Sequence, residues 1–98
     1  NLDYVGSLTL DPILMKKANL NEYEKIHVLN ITNGSRLITY IIKGESGSGE
    51  VCINGAAAHL VSKGDLVIIA SYCSVEDNDA KNFKPTIVHV DYKNTVIS

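Results

Sequence analysis

The stretch KIHVLNITNGSRLITYIIK, residues 25–43, decides the fold class of this chain. Residues 25–31 and 36–43 are rich in Ile, Val and other residues that favour β-strands. Between them stands Asn33-Gly34, a pair that is typical of tight turns joining two antiparallel strands. The stretch therefore predicts a β-hairpin.

Shorter patterns on both sides of the hairpin predict more strands and a few helical turns. Strands are expected over residues 7–10, 50–53, 66–74 and 86–92, and the apolar run from Leu66 to Ala70 indicates a strand buried on both faces. Asp11 followed by Pro12 predicts the start of a short helix to about residue 17, with further helical turns near 56–60 and 74–83. Six or so strands in so short a chain predict a mainly β fold, closed or nearly closed into a small barrel.

Length and charge limit what this chain can be. Its 98 residues predict one domain, residues 1–98. With 9 Lys and Arg against 11 Asp and Glu, the net charge of −2 gives no reason to expect nucleic acid or an anionic membrane as a partner. No apolar run approaches the roughly 20 residues of a membrane span, and the first residues do not resemble a signal peptide. We therefore expect a cytoplasmic protein.

The cysteines and histidines indicate no metal site. Cys52 and Cys73 lie in apolar runs without CxxC spacing, which predicts two buried, reduced thiols. The three histidines stand alone in different predicted elements: His27, His59 and His89. Neither set provides the ligand spacing of a zinc site.

Gly6-Ser7 is the dipeptide in this chain whose peptide bond is best suited to react. Glycine allows backbone geometries that other residues resist, and the hydroxyl of a following serine can attack the glycine carbonyl. Gly-Ser is nevertheless a common dipeptide, and by itself it indicates only the start of a strand.

The dipeptide belongs to the first of four segments whose order and spacing form a longer pattern. They are YVGSLTLD (4–11), NITNGSRLITY (30–40), INGAAAH (53–59) and GDLVIIASY (64–72). Together they closely resemble the aspartate 1-decarboxylase family of pyruvoyl-dependent enzymes, over essentially the whole chain. The resemblance implies a six-stranded double-psi β-barrel with short helical turns, and a homotetramer with its active sites between subunits.

The resemblance also implies two stages of chemistry. In the first, the chain cleaves itself between Gly6 and Ser7, and Ser7 becomes a covalently bound pyruvoyl group. In the second, that group forms a Schiff base with L-aspartate, which loses its α-carboxylate as CO₂ and becomes β-alanine for pantothenate biosynthesis.

Specific residues take roles by this resemblance. Thr39 holds the Gly6 carbonyl during self-cleavage, Arg36 binds a substrate carboxylate, and Tyr40 donates a proton to the intermediate. Thr39 also belongs to the substrate-binding set. The substrate is lined by one segment that provides backbone N–H groups and an amide: Asn54, Gly55, Ala56 and Ala57. A weaker candidate, Tyr4, is expected to close the pocket of an adjacent subunit. Because neighbouring strand residues face opposite ways, Thr39 and Tyr40 can both act only if one points toward a neighbouring surface or the chain bends there.

Three points stay open at the level of sequence. Members of the family begin with a further segment that contributes a strand and a basic substrate-binding residue, and we expect that segment to be missing from this chain. The chain could also be an unprocessed precursor, and a separate maturation factor is among the partners that the resemblance allows. The main alternative is a non-catalytic double-psi barrel that serves as a binding or adaptor module, in which Arg36 and Tyr40 could be replaced by Lys and Phe with little effect.

Overall fold

The computed structural model describes residues 6–97, which form a mainly β fold built on one five-stranded, half-barrel sheet. The strands are β1 (Ser7–Leu10), β2 (Lys25–Asn30), β3 (Arg36–Lys43), β4 (Val51–Asn54) and β5 (Val67–Ala70). The helical elements are α1 (Pro12–Ala18), a 3-10 helix (Gly55–Leu60) and α2 (Asp77–Ala80). Among the described residues, no helix is of the length and apolarity that crossing a membrane requires.

In the strand order β4-β1-β3-β2-β5, β1 lies between β4 and β3. β1 runs parallel to β3 on one side and antiparallel to β4 on the other, where Ser7 lies opposite Asn54. β2 and β3 form the antiparallel hairpin, with Ile26 opposite Thr39, and β5 pairs with the far side of β2. The start of β1 therefore lies between two strands that are distant from it in sequence.

The hydrophobic core covers one face of this sheet. Its strand residues alternate with outward-facing ones, as expected where one face of a sheet is buried, and α1 and the 3-10 helix add three more side chains. The buried apolar residues are Leu8, Leu10, Leu14, Met15, Ile26, Val28, Leu37, Ile41 and Ala57. Full burial of each large side chain contributes roughly 1.5–3 kcal/mol, so this face holds the sheet together.

Asp11 connects α1 to the loop before β4. Its carboxylate accepts a hydrogen bond from the Ile13 N–H at 2.9 Å, and Pro12 occupies the first helical position. The same carboxylate accepts hydrogen bonds from the N–H groups of Gly47 (3.0 Å) and Gly49 (2.8 Å). The Ile13 bond is the main cause that lowers the pKa of Asp11; the two glycine bonds add to it and desolvation opposes it. One side chain thus caps a helix and fixes the approach to β4.

Most of the local predictions are confirmed. The strand at 7–10, the hairpin of β2 and β3, and the helix that begins at Pro12 with Asp11 as its cap lie where the sequence predicts them. The helical turn expected near 56–60 is the 3-10 helix. The prediction of a single domain over residues 1–98 stays a prediction.

Several predictions for the second half of the chain were wrong. Ile68 is 48% exposed, so β5 is not buried on both faces; it pairs only with β2, and no element of the described chain covers its outer side. In place of a strand over 86–92 there is only an isolated bridge between Val90 and Val96. The helix expected over 74–83 is reduced to α2. The described sheet has five strands, and the six-stranded double-psi topology is not confirmed by it.

The prediction of buried thiols was also wrong. Cys52 and Cys73 are free, and both are exposed. Cys52 lies on β4, whose neighbour in the sheet is β1, and its side chain is on the face of that ladder that also carries Ser7 and Thr9. Cys73 follows the end of β5 in a segment that is exposed throughout. Apolar neighbours in sequence did not bury these thiols because no packed element covers them.

Candidate active site

Gly6 and Ser7 occupy a buried and sterically constrained position. Gly6 has a φ of +119°, in the region that L side chains rarely adopt, and a Cβ atom there would clash with the backbone carbonyl oxygen of Asn54. Ser7 is 1% exposed, although its side chain is polar. Only glycine fits at position 6, and the serine hydroxyl that follows it is shielded from solvent.

Thr39 places a hydrogen-bond donor on the Gly6 carbonyl. Its Oγ1 donates to the Gly6 oxygen at 2.7 Å, and Thr39 itself is 5% exposed. The side chain reaches this oxygen because Thr39 lies on the inner face of β3, next to β1 in the sheet. A buried donor in this position stabilises the negative charge that the carbonyl oxygen would gain under nucleophilic attack.

Asn54 joins the same cluster from the opposite side. Its Nδ2 donates hydrogen bonds to Ser7 Oγ at 3.0 Å and to Thr9 Oγ1 at 2.8 Å. The β1–β4 register brings these groups together, because Ser7 lies opposite Asn54 and Thr9 lies opposite Cys52. The amide therefore holds the serine hydroxyl in place.

Thr9 is the residue of this cluster that sequence reasoning missed. It lies two residues after Ser7 on a predicted strand, so strand alternation puts both hydroxyls on one face. The alternation was readable from the sequence, whereas the pairing of β1 with β4 was not.

The end of β4 turns directly into the segment expected to line the substrate. Gly55 has a φ of +75°, which a glycine adopts without strain, and it opens the 3-10 helix that carries Ala56 and Ala57. A Cβ on Gly6 would lie 3.4 Å from the Cβ of Ala57, which is ordinary contact distance. Ala57 is thus adjacent to the Gly6 backbone.

Arg36 shares an open cleft with this segment. The cleft has a volume of about 610 Å³, and it is lined by His27, Leu29, Arg36, Leu37, Ile38, Ala56, Ala57 and Leu60. Its walls are mostly apolar, and the Arg36 guanidinium is a cation that can pair with a carboxylate in two parallel hydrogen bonds. Because Ala57 also touches the region of Gly6, the cleft and the buried cluster are neighbours.

A polar network anchors the far end of the 3-10 helix. The Nδ2 of Asn30, a residue that is 2% exposed, donates to the Leu60 carbonyl at 3.0 Å and to Asp65 Oδ2 at 2.8 Å. The Ser62 N–H is the main cause that lowers the pKa of Asp65; the Asn30 amide adds to it and desolvation opposes it. The network ties the cleft wall to the end of β2.

Tyr40 lies on the face of β3 that is turned away from Thr39. Along β3 the buried residues are Leu37, Thr39 and Ile41, so Tyr40 points to the other side of the sheet. In the parallel ladder Leu8 is level with Ile41, so the residues before them, Ser7 and Tyr40, share that side. The strand alternates regularly and does not bend at this point. Tyr4, the weaker candidate, lies outside the described residues.

Within residues 6–97, no group of three or more His, Cys, Asp or Glu side chains could hold a metal ion.

Comparison with known proteins gives a consistent result. The sequence model of the family described as "Aspartate decarboxylase" matches residues 1–97. A protein named aspartate 1-decarboxylase from Campylobacter fetus subsp. fetus is 57% identical over 96 residues, which are 98% of this chain and 83% of that protein.

Two further relatives carry the same name. The one from Clostridium botulinum (strain Langeland) is 54% identical over 96 residues, or 98% of this chain and 76% of the relative. The one from Corynebacterium efficiens is 53% identical over 98 residues, or 100% of this chain and 72% of the relative.

Proposed function

The chain belongs to the aspartate decarboxylase family, and from this premise we propose that it removes the α-carboxylate of L-aspartate as CO₂, leaving β-alanine for pantothenate biosynthesis. The observation that carries the proposal is the hydrogen bond from Thr39 to the carbonyl of Gly6, next to the buried hydroxyl of Ser7. A donor and a nucleophile on the two sides of one peptide bond are what a self-cleaving chain requires.

Self-cleavage follows from the chemistry of these groups. Ser7 Oγ attacks the Gly6 carbonyl carbon, and the oxygen of that carbonyl becomes negative while Thr39 donates to it. The C–N bond then breaks, the nitrogen takes up the proton that the hydroxyl lost, and an ester joins Gly6 to Ser7 Oγ. Loss of the Ser7 Cα proton breaks the Cβ–Oγ bond and releases Gly6 as a carboxylate. The dehydroalanine that remains takes up one water and releases ammonia, which leaves a pyruvoyl group at position 7.

The surroundings of position 7 fit such a prosthetic group. Gly6 meets the Asn54 backbone too closely for any side chain, and Asn54 already donates to the atom that would be eliminated. When present, a pyruvoyl group supplies a ketone that binds the substrate amine and accepts the electrons released with CO₂. Asn54 and the backbone N–H groups of Gly55, Ala56 and Ala57 would then line the substrate.

Arg36 and Tyr40 are proposed to act on aspartate itself. Arg36 binds a carboxylate within the cleft that it shares with Ala56 and Ala57. Tyr40 donates a proton to the carbon that has lost CO₂, because a tyrosine hydroxyl is a sufficient acid toward a carbanion.

The exposed face of the sheet supports a site that a second copy of the chain closes in a homotetramer. Tyr40 is on the same face as Ser7, so the proton donor and the proposed prosthetic group lie on one side of the sheet, turned away from the core. The outer side of the sheet also exposes large apolar side chains that a second copy could cover: Ile38, Leu66, Ile68 and Tyr72. A complete six-stranded double-psi barrel and a cytoplasmic location belong to the same proposal.

Intact mass spectrometry tests the proposal directly. The purified chain should separate at the Gly6–Ser7 bond, and the new fragment should be lighter by one ammonia than a fragment that begins with serine. Ser7→Ala should stay uncleaved and form no β-alanine from aspartate. A wild-type chain that stays intact on prolonged warming and releases no CO₂ would contradict the proposal and support a non-catalytic binding module instead.

A further inference from the structure

We propose that Thr9 is a positioning residue for self-cleavage, whose hydroxyl oxygen orients the Asn54 amide so that Nδ2 points at Ser7 Oγ. This inference rests on the proposed function, because it assigns a further residue to the same reaction. Thr9 does not flank the scissile bond. It accepts a hydrogen bond from Asn54, and only through Asn54 is it connected to Ser7.

The first argument is that the two N–H groups of the Asn54 amide have different acceptors. An asparagine amide has two donors on one nitrogen. Here Nδ2 is 2.8 Å from Thr9 Oγ1 and 3.0 Å from Ser7 Oγ, so each donor has one hydroxyl oxygen as its partner. The shorter of the two hydrogen bonds goes to Thr9, and the amide plane is fixed by two points on β1.

The second argument is the position of the amide oxygen. Asn54 Oδ1 lies 3.7 Å from Cys52 Sγ, within hydrogen-bond distance for a thiol. A thiol is a weak donor and a weak acceptor, so it cannot by itself hold the amide. The Thr9 hydroxyl is therefore the stronger of the two groups that orient Asn54 independently of Ser7.

The third argument is what a fixed amide does for the nucleophile. A hydrogen bond from Nδ2 restricts the Ser7 hydroxyl and stabilises negative charge on Oγ as its proton leaves. Without the Thr9 oxygen, one N–H would lose its partner, and the amide could rotate to find another. The serine hydroxyl would then be oriented correctly for a smaller part of the time.

The experiment compares cleavage rates of full-length variants. Thr9→Val keeps the shape of the side chain and removes the oxygen, while Thr9→Ser keeps the oxygen. We expect Thr9→Val to slow the conversion of intact to cleaved chain, followed by intact mass at fixed temperature, by about three- to tenfold. Thr9→Ser should stay within about twofold of the wild type, since it keeps the same acceptor.

A double-mutant cycle separates positioning from a general structural effect. If Thr9 acts through Asn54, adding Thr9→Val to Asn54→Ala should slow cleavage no further. The inference is overturned if Thr9→Val cleaves at the wild-type rate, if Thr9→Ser is as slow as Thr9→Val, or if the two substitutions are additive. Where Thr9→Val does not fold, judged by its thermal unfolding, Thr9→Ala replaces it.

The outcome distinguishes this inference from the proposed function. If the wild-type chain does not cleave at all, the proposed function fails, and the comparison of Thr9 variants has no reference rate. If the wild type cleaves and the Thr9 variants match it, only the role of Thr9 is rejected.

Discussion

The two faces of β3 meet different parts of the Gly6–Ser7 region. The inner face carries Thr39 between buried Leu37 and Ile41, and Thr39 makes its hydrogen bond to Gly6, just before the neighbouring strand. The outer face carries Arg36 and Tyr40, which are exposed and half-buried respectively. Thr39 thus reaches the Gly6 carbonyl from the core side of the sheet, whereas Tyr40 lies on the side that carries Ser7.

One strand can therefore serve two stages of a reaction. Strand alternation puts Thr39 and Tyr40 on opposite sides of the sheet, so they approach the Gly6–Ser7 region from opposite sides. We expect loss of the Thr39 hydroxyl to change self-cleavage, and substitutions of Arg36 and Tyr40 on the outer face of β3 to change only the turnover of aspartate.

The largest expected effect concerns Tyr40. Tyr40→Phe should cleave itself at the wild-type rate but lose decarboxylation by roughly 10²–10⁴-fold, because the proton donor is missing. Co-expression of Tyr40→Phe with the uncleavable Ser7→Ala should not restore β-alanine formation, because Ser7 and Tyr40 share one side of the same sheet and are expected to act within one chain. Mixed oligomers that are more active than the separate variants would mean that Tyr40 serves a neighbouring chain, which would contradict this expectation.

On the inner face, the test is removal of the Thr39 hydroxyl. Thr39→Val should slow self-cleavage by roughly 10²–10³-fold, the usual cost of losing one donor to a developing oxyanion. Intact mass after a time course measures this rate, and Thr39→Ser, which keeps the donor, serves as the control. Cleavage of the valine variant at the wild-type rate would contradict the role of Thr39.

A smaller effect is expected at Arg36. Arg36→Lys keeps the charge but loses the planar pair of donors, so the KM for aspartate should rise by roughly tenfold while self-cleavage is unchanged. Steady-state kinetics on fully cleaved protein measures the change, with Arg36→Gln as the variant that also removes the charge. An equal KM in all three proteins would place carboxylate binding elsewhere.

The smallest effect concerns the network beneath the cleft. The pKa of Asp65 is lowered in the folded chain, so its contribution to stability is present above its ordinary value and is lost as the pH falls through the lowered one. Asp65→Asn should therefore unfold at a lower temperature than the wild type near pH 6, and the difference should shrink in acid. Thermal unfolding of both proteins between pH 6 and pH 3 tests this prediction. A difference in unfolding temperature that grows as the pH falls would contradict it.

Local sequence signals predicted the first half of the fold well. Asp11 followed by Pro12 caps a helix within a few residues, and Asn33-Gly34 between two β-rich runs specifies a hairpin with no help from distant residues. The prediction of a strand over 86–92 was wrong because an alternating pattern does not supply a neighbouring strand to pair with. In this segment the structure has one bridge, between Val90 and Val96.

The candidate residues could be named from the sequence only through their resemblance to a family. Gly6-Ser7 by itself is a common dipeptide, and nothing local to Thr39 indicates a bond to Gly6, 33 residues away in the chain. Thr9 was missed for the same reason, since its partner Asn54 is 45 residues away.

By itself, the sequence determined the mainly β class, the central hairpin, the capped helix and the family of the chain, because each depends on short patterns or on the order of motifs. Only the tertiary structure decided which groups meet: Thr39 at Gly6, and Asn54 between Ser7 and Thr9. The physical reason is that pairing between distant strands, together with the alternation of side chains along each strand, sets both the neighbours of a residue and the face on which it can act.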